Sequence, residues 1–160
     1  MKRDFSNATT LSIGWDALYR DCLLLAHKLK RLGPFTGIVA VARGGLIPAA
    51  IVARELDLRL VDTVCVVSYD GRMRRDEPPR VIKPVAGDGD GWLVVDDLVD
   101  SGDTLRCLRH LLPKGHFATI YAKPDGASLV DTWVTAIEQD LWLVFPWDGP
   151  ARAVRDHTGS

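Results

Sequence analysis

The stretch Trp92-Leu93-Val94-Val95-Asp96-Asp97-Leu98-Val99-Asp100-Ser101-Gly102-Asp103-Thr104 organises the reading of this chain. Trp92 to Val95 is an apolar run of strand length. Asp96 and Asp97 stop it, and Leu98-Val99 leads into the loop from Asp100 to Thr104. Beyond the loop, Leu105, Leu108, Leu111 and Leu112 recur at helical spacing until Pro113 and Gly115 end the helix. The unit therefore predicts a buried strand, an acidic loop and a helix. A helix N-terminus presents unpaired backbone N–H groups and a partial positive charge, which suit a phosphate. Gly102 permits close backbone approach, and Ser101 and Thr104 bring hydroxyls. Asp96 and Asp97 would repel a phosphate directly; they suit sugar hydroxyls, or a Mg²⁺ that the ligand shares. Capping alone accounts for an isolated Asp-Ser-Gly before a helix. It does not account for the whole run, whereas a ligand carrying a phosphate, a diol and a metal satisfies every group at once.

The flanking chain has the same grammar. Gly37–Ala42 reads as a second buried strand, running into Arg43-Gly44-Gly45 and then a helix from Ala49 to Leu56, with Pro48 in its first turn. Gly44 and Gly45 expose backbone N–H groups beside the Arg43 charge, a second anion site, although Arg-Gly-Gly alone is also an ordinary tight turn. Asp16 to Leu32 predicts a helix with Leu18, Cys22, Leu25, Leu29 and Leu32 on one face. Val61–Ser68, His116–Ala122 and Val130–Ala136 predict further strands. Alternating strands and helices imply an α/β domain with a central, mostly parallel sheet and ligand loops at the carboxyl ends of the strands. Tyr69 to Arg80 is polar, carries four arginines and contains Pro78-Pro79, so composition makes it a surface loop. Gly87 to Gly91 lacks the closing Glu of a calcium loop and reads as a turn. Lys123, at a strand end, is expected to be solvated. Trp142 and Trp147 suit either the core or the wall of a base pocket. His27, His110 and His116 have no partner motif and read as structural.

Composition narrows the function classes. The chain has 160 residues, enough for one domain with its own core. Lys and Arg total 20 and Asp and Glu 21, a net charge of −1, which argues against bulk binding to nucleic acid. Cys22, Cys65 and Cys107 form no C-x-x-C pair and are expected to pack as small apolar residues in a reducing compartment. No signal peptide or membrane-length apolar run is present, which implies a cytoplasmic location. Residues 1–10 and 151–160 are expected to be flexible tails.

The run from Asp96 to Thr104 resembles the signature of the type I phosphoribosyltransferases. From Ile38 to Asp148 the chain is similar to the bacterial xanthine-guanine phosphoribosyltransferases. The matching pieces are Arg43-Gly44-Gly45, Ala53–Leu56, Val61–Cys65, Ser68–Asp70, Asp96–Asp100, Ala122–Pro124, Gln139-Asp140, Trp142 and Pro146–Asp148. The resemblance implies an α/β type I phosphoribosyltransferase fold over residues 1–160. Its central, mostly parallel sheet is flanked by helices, and a mobile hood at residues 68–80 covers the active site.

The same resemblance implies transfer of the 5-phosphoribosyl group from phosphoribosyl pyrophosphate (PRPP) to N9 of a 6-oxopurine in purine salvage, with Mg²⁺ as cofactor. It assigns Asp100, Ser101, Gly102, Asp103 and Thr104 to the 5-phosphate. It assigns Arg43, Gly44, Gly45 and the hood arginines Arg74 and Arg75 to pyrophosphate, in a loop that often holds a cis peptide. Asp96 and Asp97 fall to the ribose and metal, Asp100 to the purine N7 as general base, and Lys123, Trp142, Leu143 and Asp148 to the purine. Asp103 stands where Gly, Lys or Ala is usual and is expected to point away from the phosphate. A homodimer or homotetramer is implied, and peripheral contact with the inner membrane face, as in some relatives. Two alternatives remain beside it: a phosphoribosyltransferase for another base, and a PRPP-binding regulator of the same fold. A P-loop protein is disfavoured because G-x-x-x-x-G-K-[ST] is missing.

Overall fold

The computed structural model describes residues 9–67 and 79–149. In chain order the elements are β1 (Thr10–Ser12), α1 (Trp15–Lys30), β2 (Gly37–Ala42), α2 (Leu46–Glu55), β3 (Val61–Val67), β4 (Arg80–Lys83), β5 (Trp92–Val99), α3 (Asp103–Leu111), β6 (His116–Ala122), α4 (Pro124–Ala127), β7 (Thr132–Ala136) and β8 (Trp142–Val144). Six strands form one sheet in the order β4-β3-β2-β5-β6-β7, and all its pairings are parallel except β3 with β4. β1 and β8 form a separate parallel pair.

The central strands are apolar throughout because both faces of the sheet are covered. Ile38, Ala40, Leu93 and Val95 pack against α1 and α2, through Leu18, Cys22, Leu25, Ala49 and Val52. Val39, Val41 and Val94 face the other way, onto Leu105 and Leu108 of α3 and Phe117 of β6. Successive residues of a strand point to opposite faces, so one apolar run feeds two cores. Cys22 packs as a small apolar group, and burial pushes its thiol up to about 12.

This topology sets the site. The chain leaves β2 for β3 on one side and leaves β5 for β6 on the other. The loops after β2 and β5 therefore diverge at the carboxyl ends of two adjacent strands, and a crevice opens between them.

Several sequence expectations are corrected. β5 does not stop at Asp96 but runs to Val99, because its ladder to β6 continues with Asp96 opposite Thr119 and Leu98 opposite Tyr121. Helix α2 begins at Leu46, three residues before Ala49. Leu32 lies beyond the end of α1 and is 56% exposed, so it does not belong to the buried face. Arg80 to Lys83 is an antiparallel edge strand rather than the end of a loop. Thr10 is held in register with Trp142 instead of fraying. The rest of the expected tails, and residues 68–78 of the expected hood with Arg74 and Arg75, lie outside the described residues. No helix among the described residues is long and apolar enough to cross a membrane.

Candidate active site at the carboxyl ends of the sheet

The loop from Asp100 to Thr104 forms a cradle. Gly102 is the N-cap of α3 with φ 86°, a left-handed conformation that favours glycine. This turn carries the chain from β5 into the helix, and the whole loop lines a recess of about 260 Å³. Ser101 Oγ donates to Asp103 Oδ2 at 2.8 Å, and Arg106 Nη1 donates to Asp103 Oδ1 at 2.7 Å. The Asp103 carboxylate is thus engaged by its own loop and helix. Its contact with the Ser101 hydroxyl has no signal in the local sequence.

A larger cavity, of about 760 Å³, lies beside the cradle and shares Asp96 and Thr104 with it. That volume falls within the range of small-molecule sites. Its walls come from the ends of β2 and β3, including Arg43, Gly44 and Cys65, from Asp96 and Asp97, and from Phe145, Trp147 and Asp148. The Ala42–Arg43 peptide is cis. Gly44 is packed so closely on β5 that an added Cβ would lie 2.4 Å from Asp97 Oδ2. Gly45 is buried, spends its N–H on Val41 O at 2.8 Å and does not line the cavity. Its lack of a side chain serves packing, since a Cβ would meet Val95 O at 2.2 Å.

The paired acids lie where the two recesses meet. Asp96 accepts the Asp97 backbone N–H at 2.9 Å. Burial, reinforced by the neighbouring Asp97 charge, raises the Asp96 carboxyl well above the ordinary range. Burial also pushes Asp97 up to about 6, and the Asp148 charge adds to that rise. Adjacent buried carboxylates at a cavity wall suit a cation. Among the described residues no three His, Cys, Asp or Glu side chains are grouped to hold a metal. Two carboxylates with ligand oxygens nevertheless fit Mg²⁺, which typically keeps water and substrate oxygens in its shell.

Lys123 departs from its expected place. It is 2% exposed, not solvated, and its Nζ lies 3.4 Å from Asp100 Oδ2. Its backbone N–H donates to Val99 O at 2.9 Å, which ties the end of β6 to the end of β5. Helix α4 then packs directly beneath the cradle: a Cβ on Gly126 would meet Asp100 O at 2.7 Å.

The expected purine residues divide. Asp148 lines the cavity and closes a tight turn by accepting the Phe145 N–H at 2.8 Å. Leu143 is buried in the core beneath it. Trp142 is half-buried on β8 and lines neither recess, whereas Phe145 and Trp147 do line the larger one. Those two rings stack at 4.9 Å with planes 2° apart. No local pattern marks Phe145 as a cavity residue, since its place after Val144 signals only a strand end.

The comparisons with known proteins agree with this geometry. The Phosphoribosyl transferase domain matches residues 14–152. The xanthine-guanine phosphoribosyltransferase of Desulfotalea psychrophila is 52% identical over 139 residues, covering 87% of this chain and 86% of the relative. That of Gluconobacter oxydans is 54% identical over 140 residues, covering 86% and 83%. The chain belongs to the phosphoribosyltransferase family, in its xanthine-guanine branch. Among solved structures, the purine phosphoribosyltransferase of Pyrococcus horikoshii superposes with a TM-score of 0.73 at 31% identity, over 86% of this chain and 93% of that one. The Helicobacter pylori xanthine-guanine-hypoxanthine phosphoribosyltransferase, at 24% identity and a TM-score of 0.72 over 92% and 99%, shares the fold. The type I phosphoribosyltransferase architecture is thus reached both from the sheet order and from these relatives.

Proposed function

We propose that this phosphoribosyltransferase joins the phosphoribosyl group of PRPP to N9 of guanine, xanthine or hypoxanthine, releasing pyrophosphate. The observation that carries the reading is the Lys123 ammonium, which lines neither recess itself but is buried beside Asp100, the first residue of the cradle. A cation held at that depth is a donor for a ligand oxygen, and an amino group in its place would leave it unpaired. This favours 6-oxopurines over adenine.

In this reading the backbone of Ser101 to Thr104 binds the 5-phosphate, and Arg43 with Gly44 receives the pyrophosphate. Gly45 supports that loop from below. Arg74 and Arg75 stay assigned to pyrophosphate on the resemblance alone. Asp96 and Asp97 bind the ribose hydroxyls and would hold Mg²⁺, which when bound supplies charge neutralisation to the leaving pyrophosphate. The bond from C1′ to the pyrophosphate oxygen breaks, and a bond from C1′ to N9 forms. Asp100 faces N7 and holds or takes the proton that the base gives up. Phe145 and Trp147 supply the apolar wall for the purine ring, Leu143 shares their core cluster, and Asp148 lies near the 2-position. Trp142 stays assigned to the purine on the resemblance alone.

The test is product formation from PRPP and Mg²⁺ with guanine, xanthine, hypoxanthine and adenine side by side. Nucleotide and pyrophosphate from the three oxopurines, with little from adenine, support the reading. No consumption of PRPP with any purine overturns it.

A further inference from the structure

We infer that Gln139 is a positioning residue that aims the Asp100 carboxylate at the acceptor base. The inference rests on the role proposed above for Asp100. Gln139 sits in the turn after β7. The Ile137 N–H donates to Ala122 O at 2.9 Å, which carries that turn alongside Lys123 and the start of α4. The Gln139 side chain is then used at both ends. Its Oε1 accepts the Asp125 backbone N–H at 2.9 Å, and its Nε2 donates to Asp100 Oδ1 at 2.8 Å. Only the amide oxygen can accept from a backbone N–H, so the NH₂ group must face Asp100.

The two oxygens of Asp100 therefore answer to different partners. Oδ1 belongs to Gln139, and Oδ2 faces Lys123 at 3.4 Å. A charge-assisted contact between ammonium and carboxylate closes to roughly 2.7–2.9 Å when nothing opposes it. Gln139 opposes it by holding the other oxygen. Without that hold the carboxylate swings onto Lys123, and the two groups satisfy each other instead of the ligand. Gln139 keeps both available: the lysine for the 6-oxo group and the aspartate for the ring nitrogen.

Two substitutions separate the bonds. Gln139→Met removes both at similar volume. Gln139→Glu retains an acceptor for the Asp125 N–H but removes the donor to Asp100. Steady-state kinetics with PRPP, Mg²⁺ and guanine are expected to show kcat lower by about 10- to 100-fold in both, the scale of a misaimed catalytic group. KM for PRPP and the melting temperature should change little. In an Asp100→Asn background, Gln139→Met should cost nothing further, because the group it aims is gone. Unchanged kcat in Gln139→Glu, or losses that multiply in the double variant, would overturn the inference while leaving Asp100 in place. Full activity in Asp100→Asn alone would instead remove the Asp100 reading and this inference with it.

Discussion

The Lys123 ammonium lies 3.4 Å from Oδ2 of Asp100, joining the last residue before α4 to the first residue of the loop after β5. The lysine is buried and the carboxylate half exposed, so the cation depends on this partner and on whatever ligand enters. Replacing Lys123 by Met keeps the aliphatic packing and removes the donor. The expected result is a fall of about 10- to 100-fold in kcat/KM for guanine, the scale of a hydrogen bond to a charged group. Discrimination against adenine should narrow in the same assay. An unchanged guanine-to-adenine ratio would detach Lys123 from base selection.

Asp100→Asn tests the proton-handling role. It preserves size and removes the charge. The expected loss in kcat is about 10²–10⁴, typical of removing a positioned general base. Thermal unfolding of the variant checks that the loss is not one of folding.

Gly44 and Asp97 make a separate, steric prediction. A Cβ at residue 44 would lie 2.4 Å from Asp97 Oδ2. Gly44→Ala should therefore displace the carboxylate that this account gives to ribose and metal. The Mg²⁺ concentration for half-maximal rate should rise, and stability should fall by about 1–3 kcal/mol from overpacking. A titration of rate against Mg²⁺, alongside chemical denaturation, measures both.

What was legible in the sequence was the part written locally. Gly37–Ala42 and Trp92–Val95 are apolar because the sheet is covered on both faces, and that pattern predicts buried strands. The cradle was legible because strand, acidic loop and helix follow one another without a break. The remainder depends on residues distant in the chain. Thr10 to Ser12 is a strand only because Trp142 to Val144 lies beside it. Nothing near Lys123 signals burial, since its partner is 23 residues away and its lid is the fold itself. Gln139 has no local pattern; its meaning appears only when Asp100 and Asp125 are brought to either end of its side chain.

His116 provides a pH prediction away from the site. Its Nε2 lies 2.8 Å from Thr132 Oγ1, and its ring packs 5.5 Å from that of Phe35. Burial holds its pKa below the ordinary histidine value; the nearby Arg109 charge adds to this, while Asp131 acts in the opposite sense. The unfolded chain therefore takes up this proton before the folded one does. The stability linked to His116 is full above the unfolded value of 6.5 and is lost as pH falls through the folded value. Melting curves from about pH 7.5 to about pH 5 should show a smaller decline for His116→Gln than for the wild type. Equal declines would assign the acid sensitivity elsewhere.

In the proposed function one crevice holds the sugar phosphate in the loop after β5 and brings the purine 6-oxygen to Lys123. A crystal structure of the protein with guanosine 5′-monophosphate measures this directly. The 5′-phosphate is expected on the backbone N–H groups of Ser101 to Thr104 and the purine 6-oxygen within hydrogen-bond distance of Lys123 Nζ. A phosphate seated elsewhere, or a purine turned so that Lys123 meets no ligand atom, would contradict it.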